Sequence, residues 1–168
     1  MRILLLCLFT VFCLGHFIST AAQGKSPSKQ KNMETPKKQH IAKGSFEVKV
    51  TPLPAEENIG DPTIGRFSLD KTYSGDITAT AKGQMLGIGT AVKESGGYVA
   101  AESVTGTVNG KKGSFSLQHT GTMQAGKFDL KVDIVPDSGT DELKGISGSM
   151  KIIIEGGKHL YELSYTLP

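Results

Sequence analysis

Residues 102–123 read ESVTGTVNGKKGSFSLQHTGTM, two alternating runs joined at Asn109-Gly110. In the second run Phe115, Leu117, His119, Gly121 and Met123 share one face, while Ser114, Ser116, Gln118, Thr120 and Thr122 share the other. A period of two with one apolar side describes a half-buried strand. In the first run Glu102 shares its face with Val104 and Val108, and upstream with Tyr98 and Ala100. Asn-Gly is a tight-turn signal, because both residues accept positive φ. The stretch is therefore a β-hairpin whose apolar face carries a carboxylate and an imidazole.

The same pattern runs outward in both directions. From Lys43 onward there is no helical period, only short alternating runs between glycine-rich turns. Candidate strands cover 44–52, 64–73, 76–82, 84–93, 97–108, 113–123, 127–135, 146–155 and 158–167. The separators are tight, as at Ser95-Gly96-Gly97, Gln124-Ala125-Gly126 and Gly156-Gly157. Tight loops force sequential antiparallel neighbours, hence a meander. A row of eight or nine strands leaves two bare edges, and closure into a barrel removes them.

Registers follow from the turns. A turn at 124–127 pairs Met123 with Phe128, Leu117 with Ile134 and His119 with Val132. The last hairpin pairs Ile154 with His159 and Ile152 with Tyr161, and a three-residue turn at 94–96 pairs Val92 with Tyr98 and Ile88 with Glu102. For Asn109-Gly110 two registers stand. A four-residue loop places Glu102 directly opposite His119; a two-residue loop makes them diagonal neighbours. Mid-strand glycines at 87, 89, 106, 121 and 148 mark bends, close approach by a large side chain, or space for a ligand.

Two segments resemble a known family. GYVAAESVTGTVNGKKGSFSLQHTGTM (97–123), followed by VPDSGTDELKGISGSMKIIIEGGKHLYELSYTLP (135–168), resembles the domain-of-unknown-function 3224 family. GRFSLDKTYSGDITATAKGQMLGIGTAVK (65–93) fits the same pattern, so the resemblance covers nearly all of 43–168. It implies an all-β fold, a closed antiparallel eight-stranded meander barrel similar to that of allene oxide cyclase. It implies no reaction.

Ahead of this domain, residues 1–22 read as a signal peptide. Arg2 is followed by an apolar run, Ile3 to Ile18, and by the small residues Ser19-Thr20-Ala21-Ala22. The expected location is secreted or periplasmic. Cys13 raises a bacterial lipobox, but Thr10-Val11-Phe12 lacks the small residues such a site wants. No later stretch supplies an integral membrane segment after cleavage. Cys7 and Cys13 both lie in the leader, which leaves the mature chain without thiols. Disulfide scaffolds, cysteine nucleophiles and cysteine-based zinc sites are thereby excluded.

Residues 23–42, QGKSPSKQKNMETPKKQHIA, carry five lysines and one glutamate and read as a flexible linker. The domain at 43–168 then holds 13 basic and 15 acidic residues, so the overall basic balance belongs to the tail. No basic stripe interleaves with aromatics, which speaks against nucleic acid. No cofactor motif is present, and no strand advertises an interface that would set an oligomeric state.

The candidate catalytic pair is Glu102 and His119, since buried ionisable groups seldom stand alone and pairing shifts both pKa values. Two readings compete: an internal polar pair that fixes strand register, and a lumen site that binds or transforms a small hydrophobic ligand. Metal is disfavoured, with only His159 as a further histidine in the barrel and no ligand spacing. Tyr98, His159, Tyr161 and Tyr165 lie on inward faces and are the candidate ligand-binding residues, though they suit an ordinary interior equally. Asp137-Ser138-Gly139-Thr140 matches an aspartic-protease loop but follows Pro136 and reads better as turn chemistry. The expected function is small-molecule binding in the lumen; the alternatives are a cyclase or isomerase using the Glu–His pair for proton transfer, and a structural barrel with a filled lumen.

Overall fold

A computed structural model describes residues 38–55 and 60–168. The leader at 1–22, with both cysteines, and most of the linker lie outside the described residues. Eight strands follow in order: β1 (Gln39–Pro52), β2 (Ile64–Gly75), β3 (Ile77–Gly89), β4 (Gly96–Val108), β5 (Lys111–Gln124), β6 (Lys127–Ile134), β7 (Ser147–Glu155) and β8 (Lys158–Thr166). Each pairs antiparallel with the next, and β1 pairs with β8 to close the barrel. The fold is the closed eight-stranded meander that the family resemblance implies, one strand fewer than the nine alternating runs.

Closure depends on residues the composition assigned to the linker. β1 begins at Gln39, and His40, Ile41 and Ala42 pair with Tyr165, Ser164 and Leu163. Ala42 is fully buried, so this short apolar continuation of the strand outweighs the lysine-rich flavour of what precedes it.

Turn chemistry sets the registers. Asn109 and Gly110 have φ of 49° and 79°, both positive as a two-residue hairpin loop demands. Val108 therefore pairs with Lys111, Glu102 with Leu117 and Ala100 with His119. The four-residue register is excluded, and Glu102 and His119 are diagonal neighbours. Ala125-Gly126 and Gly156-Gly157 form similar turns, and the expected pairs Met123↔Phe128, His119↔Val132, Ile154↔His159 and Ile152↔Tyr161 all form.

Two expectations around β3 are corrected. The runs 76–82 and 84–93 are one strand, with Gly83 in its middle rather than at a turn. A Cβ on Gly83 would lie 2.7 Å from Cβ of Glu102 and 2.3 Å from the Ala101 carbonyl, so the glycine marks a close approach between strands. The strand then ends early, at Gly89, and the loop over residues 90–95 closes on a hydrogen bond from Thr90 N to Ser95 O. Tyr98 consequently pairs with Gly87, and Glu102 with Gly83, instead of Val92 and Ile88. The register differs by an odd number of residues, which turns Leu86 and Ile88 outward into solvent.

The barrel has two unlike ends. At one, the segment between β6 and β7 folds across the opening and presses Leu143 and Ile146 into the core, each 1% exposed. This segment contains the Asp-Ser-Gly-Thr motif, and its hydroxyls are spent on backbone. Ser138 Oγ accepts from Ser116 N and Thr140 Oγ1 from Ser114 N, both at 3.0 Å, while Thr140 N donates to Ser114 O at 2.9 Å. The motif is a clamp that extends the edge of β5, not a catalytic loop. The β6–β7 ladder itself shrinks to one register pair, Asp133↔Ser149, whereas β7 pairs with β8 along its whole length.

The opposite end, where the β1–β2, β3–β4, β5–β6 and β7–β8 connections lie, stays open. Val50, Met123, Phe128 and Ile154 follow the inward alternation yet are 37–64% exposed.

Candidate functional site

Among the described residues the lumen buries one lysine, one carboxylate and one histidine, Lys71, Glu102 and His119, none more than 7% exposed. β4 presents Glu102 inward between Ala100 and Val104, β5 presents His119, and β2 presents Lys71 between Leu69 and Tyr73. All converge on one atom. Oε1 of Glu102 accepts from Lys71 Nζ at 2.9 Å and from the Tyr73 hydroxyl at 2.9 Å, and meets His119 Nε2 at 3.2 Å. Oε2 is buried and has no hydrogen-bond partner among the described residues.

Electrostatics follow from this crowding. Burial alone pushes the Glu102 carboxyl up, but the hydrogen bond from His119 and the charge and hydrogen bond of Lys71 outweigh it. Glu102 therefore titrates below its ordinary value and stays ionised. Burial, then the neighbouring Glu102 charge, pushes the Tyr73 phenol far up, so it remains a donor. Lys71 also lies over the Phe46 ring, with Nζ 4.8 Å from its centroid. An ion pair this deep needs its extra bonds, since desolvation of two charges otherwise cancels their attraction.

Two adjoining cavities lead from the open mouth to this cluster. The outer, about 440 Å3, is bounded by Phe67, Met85, Gly87, Tyr98, Gly121, Met123 and Phe128 among others. The inner, about 250 Å3, is floored by Lys71 and His119 and walled by Phe46, Leu69, Met85, Tyr98, Phe128, Leu130, Ile152 and His159. Glu102 lines neither; it stands behind Lys71 and His119. Among the described residues no group of three or more His, Cys, Asp or Glu comes together as a metal site.

The candidates read from sequence divide by height in the barrel. Glu102 and His119 meet beneath the cavity floor, which His119 helps to form. Tyr98 lines both cavities, stacking on Phe128 at 6.4 Å between centroids, and its ring fills the space a Cβ on Gly121 would need. His159 lines the inner cavity and stacks on Phe46 at 5.1 Å. Tyr161 and Tyr165 do not reach either cavity. Their rings are 2% exposed at the closed end, where Tyr161 OH accepts from Ile77 N at 2.8 Å and donates to Ser74 O at 3.2 Å. Tyr165 OH accepts from Asn109 Nδ2 at 3.0 Å, and its ring stacks on His40. Both phenols close the barrel rather than face a ligand. Lys71 and Tyr73 were missed, although RFSLDKTY places them on the same parity as Leu69.

The same barrel is found in a crystal structure of a protein with unknown function from the DUF3224 family of Shewanella oneidensis MR-1. It is 45% identical, with a TM-score of 0.71, and the match covers 78% of this chain and 99% of that one. The family described as "Protein of unknown function (DUF3224)" matches over residues 42–165. The chain belongs to the DUF3224 family. Nothing among curated proteins matches it. For a DUF3224 barrel, the Glu102 cluster and the cavities above it are the features with chemistry to offer. No helix among the described residues is long and apolar enough to cross a membrane.

Proposed function

We propose that this DUF3224 barrel is an exported protein that binds a small, largely apolar molecule in its lumen. One observation carries the reading. Val50, Met123, Phe128 and Ile154 point inward but remain 37–64% exposed around a cavity that deepens to a polar floor. Apolar side chains left uncovered inside a barrel gain free energy when a ligand covers them, at about 25 cal/mol per Å2. The export component rests on Arg2, the apolar run to Ile18 and the small residues after it.

Native mass spectrometry of the purified protein, followed by titration with an environment-sensitive apolar dye, tests the binding. A co-purifying small molecule, or saturable dye binding that Phe128→Asp weakens, is the expected result. Unsaturable dye uptake together with a bare protein mass overturns it. Sequencing the N-terminus of the exported protein tests the leader; a start after residues 19–22 is expected.

A second reading, a cyclase or isomerase, draws on the convergence of His119 and Lys71 on Glu102. Since Glu102 does not line the cavity, a proton would pass to the ligand through His119 or Lys71. Solvent deuterium incorporated into a recovered ligand by wild type but not by His119→Ala would establish that reading. Equal incorporation by both, or none, rejects it.

A further inference from the structure

We infer that the lumen takes an apolar molecule headed by a carboxylate, bound with its head down against Lys71 and His119. This rests on the lumen-binding reading and specifies its chemistry. The polar side chains on the inner cavity are Lys71, His119, His159 and Tyr98, the outer one adds the hydroxyls of Thr63 and Ser95, and no Asp or Glu lines either cavity among the described residues. The one nearby acid, Glu102, is set behind its donors, its side chain wholly buried. The inner cavity thus carries an ammonium and no carboxylate at its floor, over walls that are largely apolar.

Lys71 carries the argument further. An ammonium has three N–H donors, and Lys71 spends one on Glu102 Oε1 at 2.9 Å, with its remaining contacts being the Phe46 and Tyr73 rings. Its side chain is 6% exposed, so bulk water is nearly excluded from the unspent donors. An acceptor oxygen placed at the floor satisfies them, and an ionised one makes charge-assisted bonds about twice as strong as neutral ones. The bond to Glu102 meanwhile fixes the position of the Lys71 amine at the floor, ready for the incoming head. The apolar body then lies along Leu130, Ile152 and Phe128 toward the mouth.

The test compares decanoate with decanol, which share a tail and differ in the head, by displacement of a lumen-bound dye at neutral pH. Decanoate is expected to bind at least about tenfold tighter, the factor that one charge-assisted bond supplies. Lys71→Met removes the ammonium but strands Glu102, so Lys71→Met/Glu102→Gln is tested beside it, with circular dichroism confirming the barrel. In the double variant the two probes are expected to bind within about twofold of each other. Equal affinity of both probes for wild type overturns the carboxylate inference while leaving lumen binding intact. A decanoate preference that survives in the double variant also overturns it. Failure of both probes to displace the dye rejects the reading beneath it.

Discussion

Glu102 and His119 meet on a diagonal. The register places His119 opposite Ala100 and Glu102 opposite Leu117, yet Nε2 of His119 lies 3.2 Å from Oε1 of Glu102. Lys71 reaches the same oxygen from β2, two strands away from Glu102 across β3. One carboxylate oxygen therefore ties β2, β4 and β5 together at a single point in the lumen. Its removal and that of its partners have different consequences.

Lys71→Met alone leaves an uncompensated carboxylate in the barrel and is expected to cost about 3–5 kcal/mol. The double variant Lys71→Met/Glu102→Gln removes both charges and recovers most of that loss. Urea unfolding of the wild type, the single and the double variant measures the difference. A single variant as stable as wild type would mean that the ion pair contributes nothing beyond filling space.

The folded-state pKa of Glu102 lies below its ordinary 4.5. A depressed acid contributes stability that is present above the unfolded value and lost as pH falls through the folded one. The melting temperature of wild type is thus expected to drop on acidification below pH 4.5, and that of Glu102→Gln to drop less steeply. Melts recorded across that range check the sign.

Gly121 makes room for the Tyr98 ring, since a Cβ there would stand 2.3 Å from Cε1. Gly121→Ala is expected to destabilise the barrel by about 1–3 kcal/mol, the usual cost of overpacking. In a Tyr98→Leu background the same change should cost less. A double-mutant cycle by chemical unfolding reads the coupling.

Tyr161→Phe leaves the buried Ile77 amide without its acceptor and is expected to cost about 1–3 kcal/mol. Because Tyr161 seals the closed end, dye affinity at the open end should stay within about twofold of wild type, well short of the tenfold that one bond's loss gives. Unfolding and dye titration on one preparation separate the two effects.

Period-two alternation made the strands legible, and the double-glycine or Ala-Gly turns fixed their registers. Asn109-Gly110 left two registers open until its backbone angles settled them. Gly83 reads as a break between strands, because a glycine in a loop and a glycine under a crossing side chain look alike in sequence. Lys71 shares the parity of Leu69 and Tyr73, but a single lysine in an alternating run is nearly always on the wet side, so the pattern does not mark it. Tyr161 and Tyr165 show the deeper reason. Alternation tells which side of the sheet a residue faces, but not its height along the barrel axis. Parity placed them inside; only the closed ring could say that they lie at the sealed end.

A hydrogen-bonded ring with seven full seams and one seam of a single pair, Asp133↔Ser149, does not share its strength evenly around its circumference. Opening begins where the fewest bonds must break at once. β7 is paired with β8 along its whole length but with β6 only at Ser149, so most amides on its β6 side should exchange with deuterium faster than those on its β8 side. The same seam separates Leu130 from Ile152, two walls of the inner cavity. The barrel is thus a cuff whose weakest fastening, a single rivet, lies in the wall of its own inner cavity.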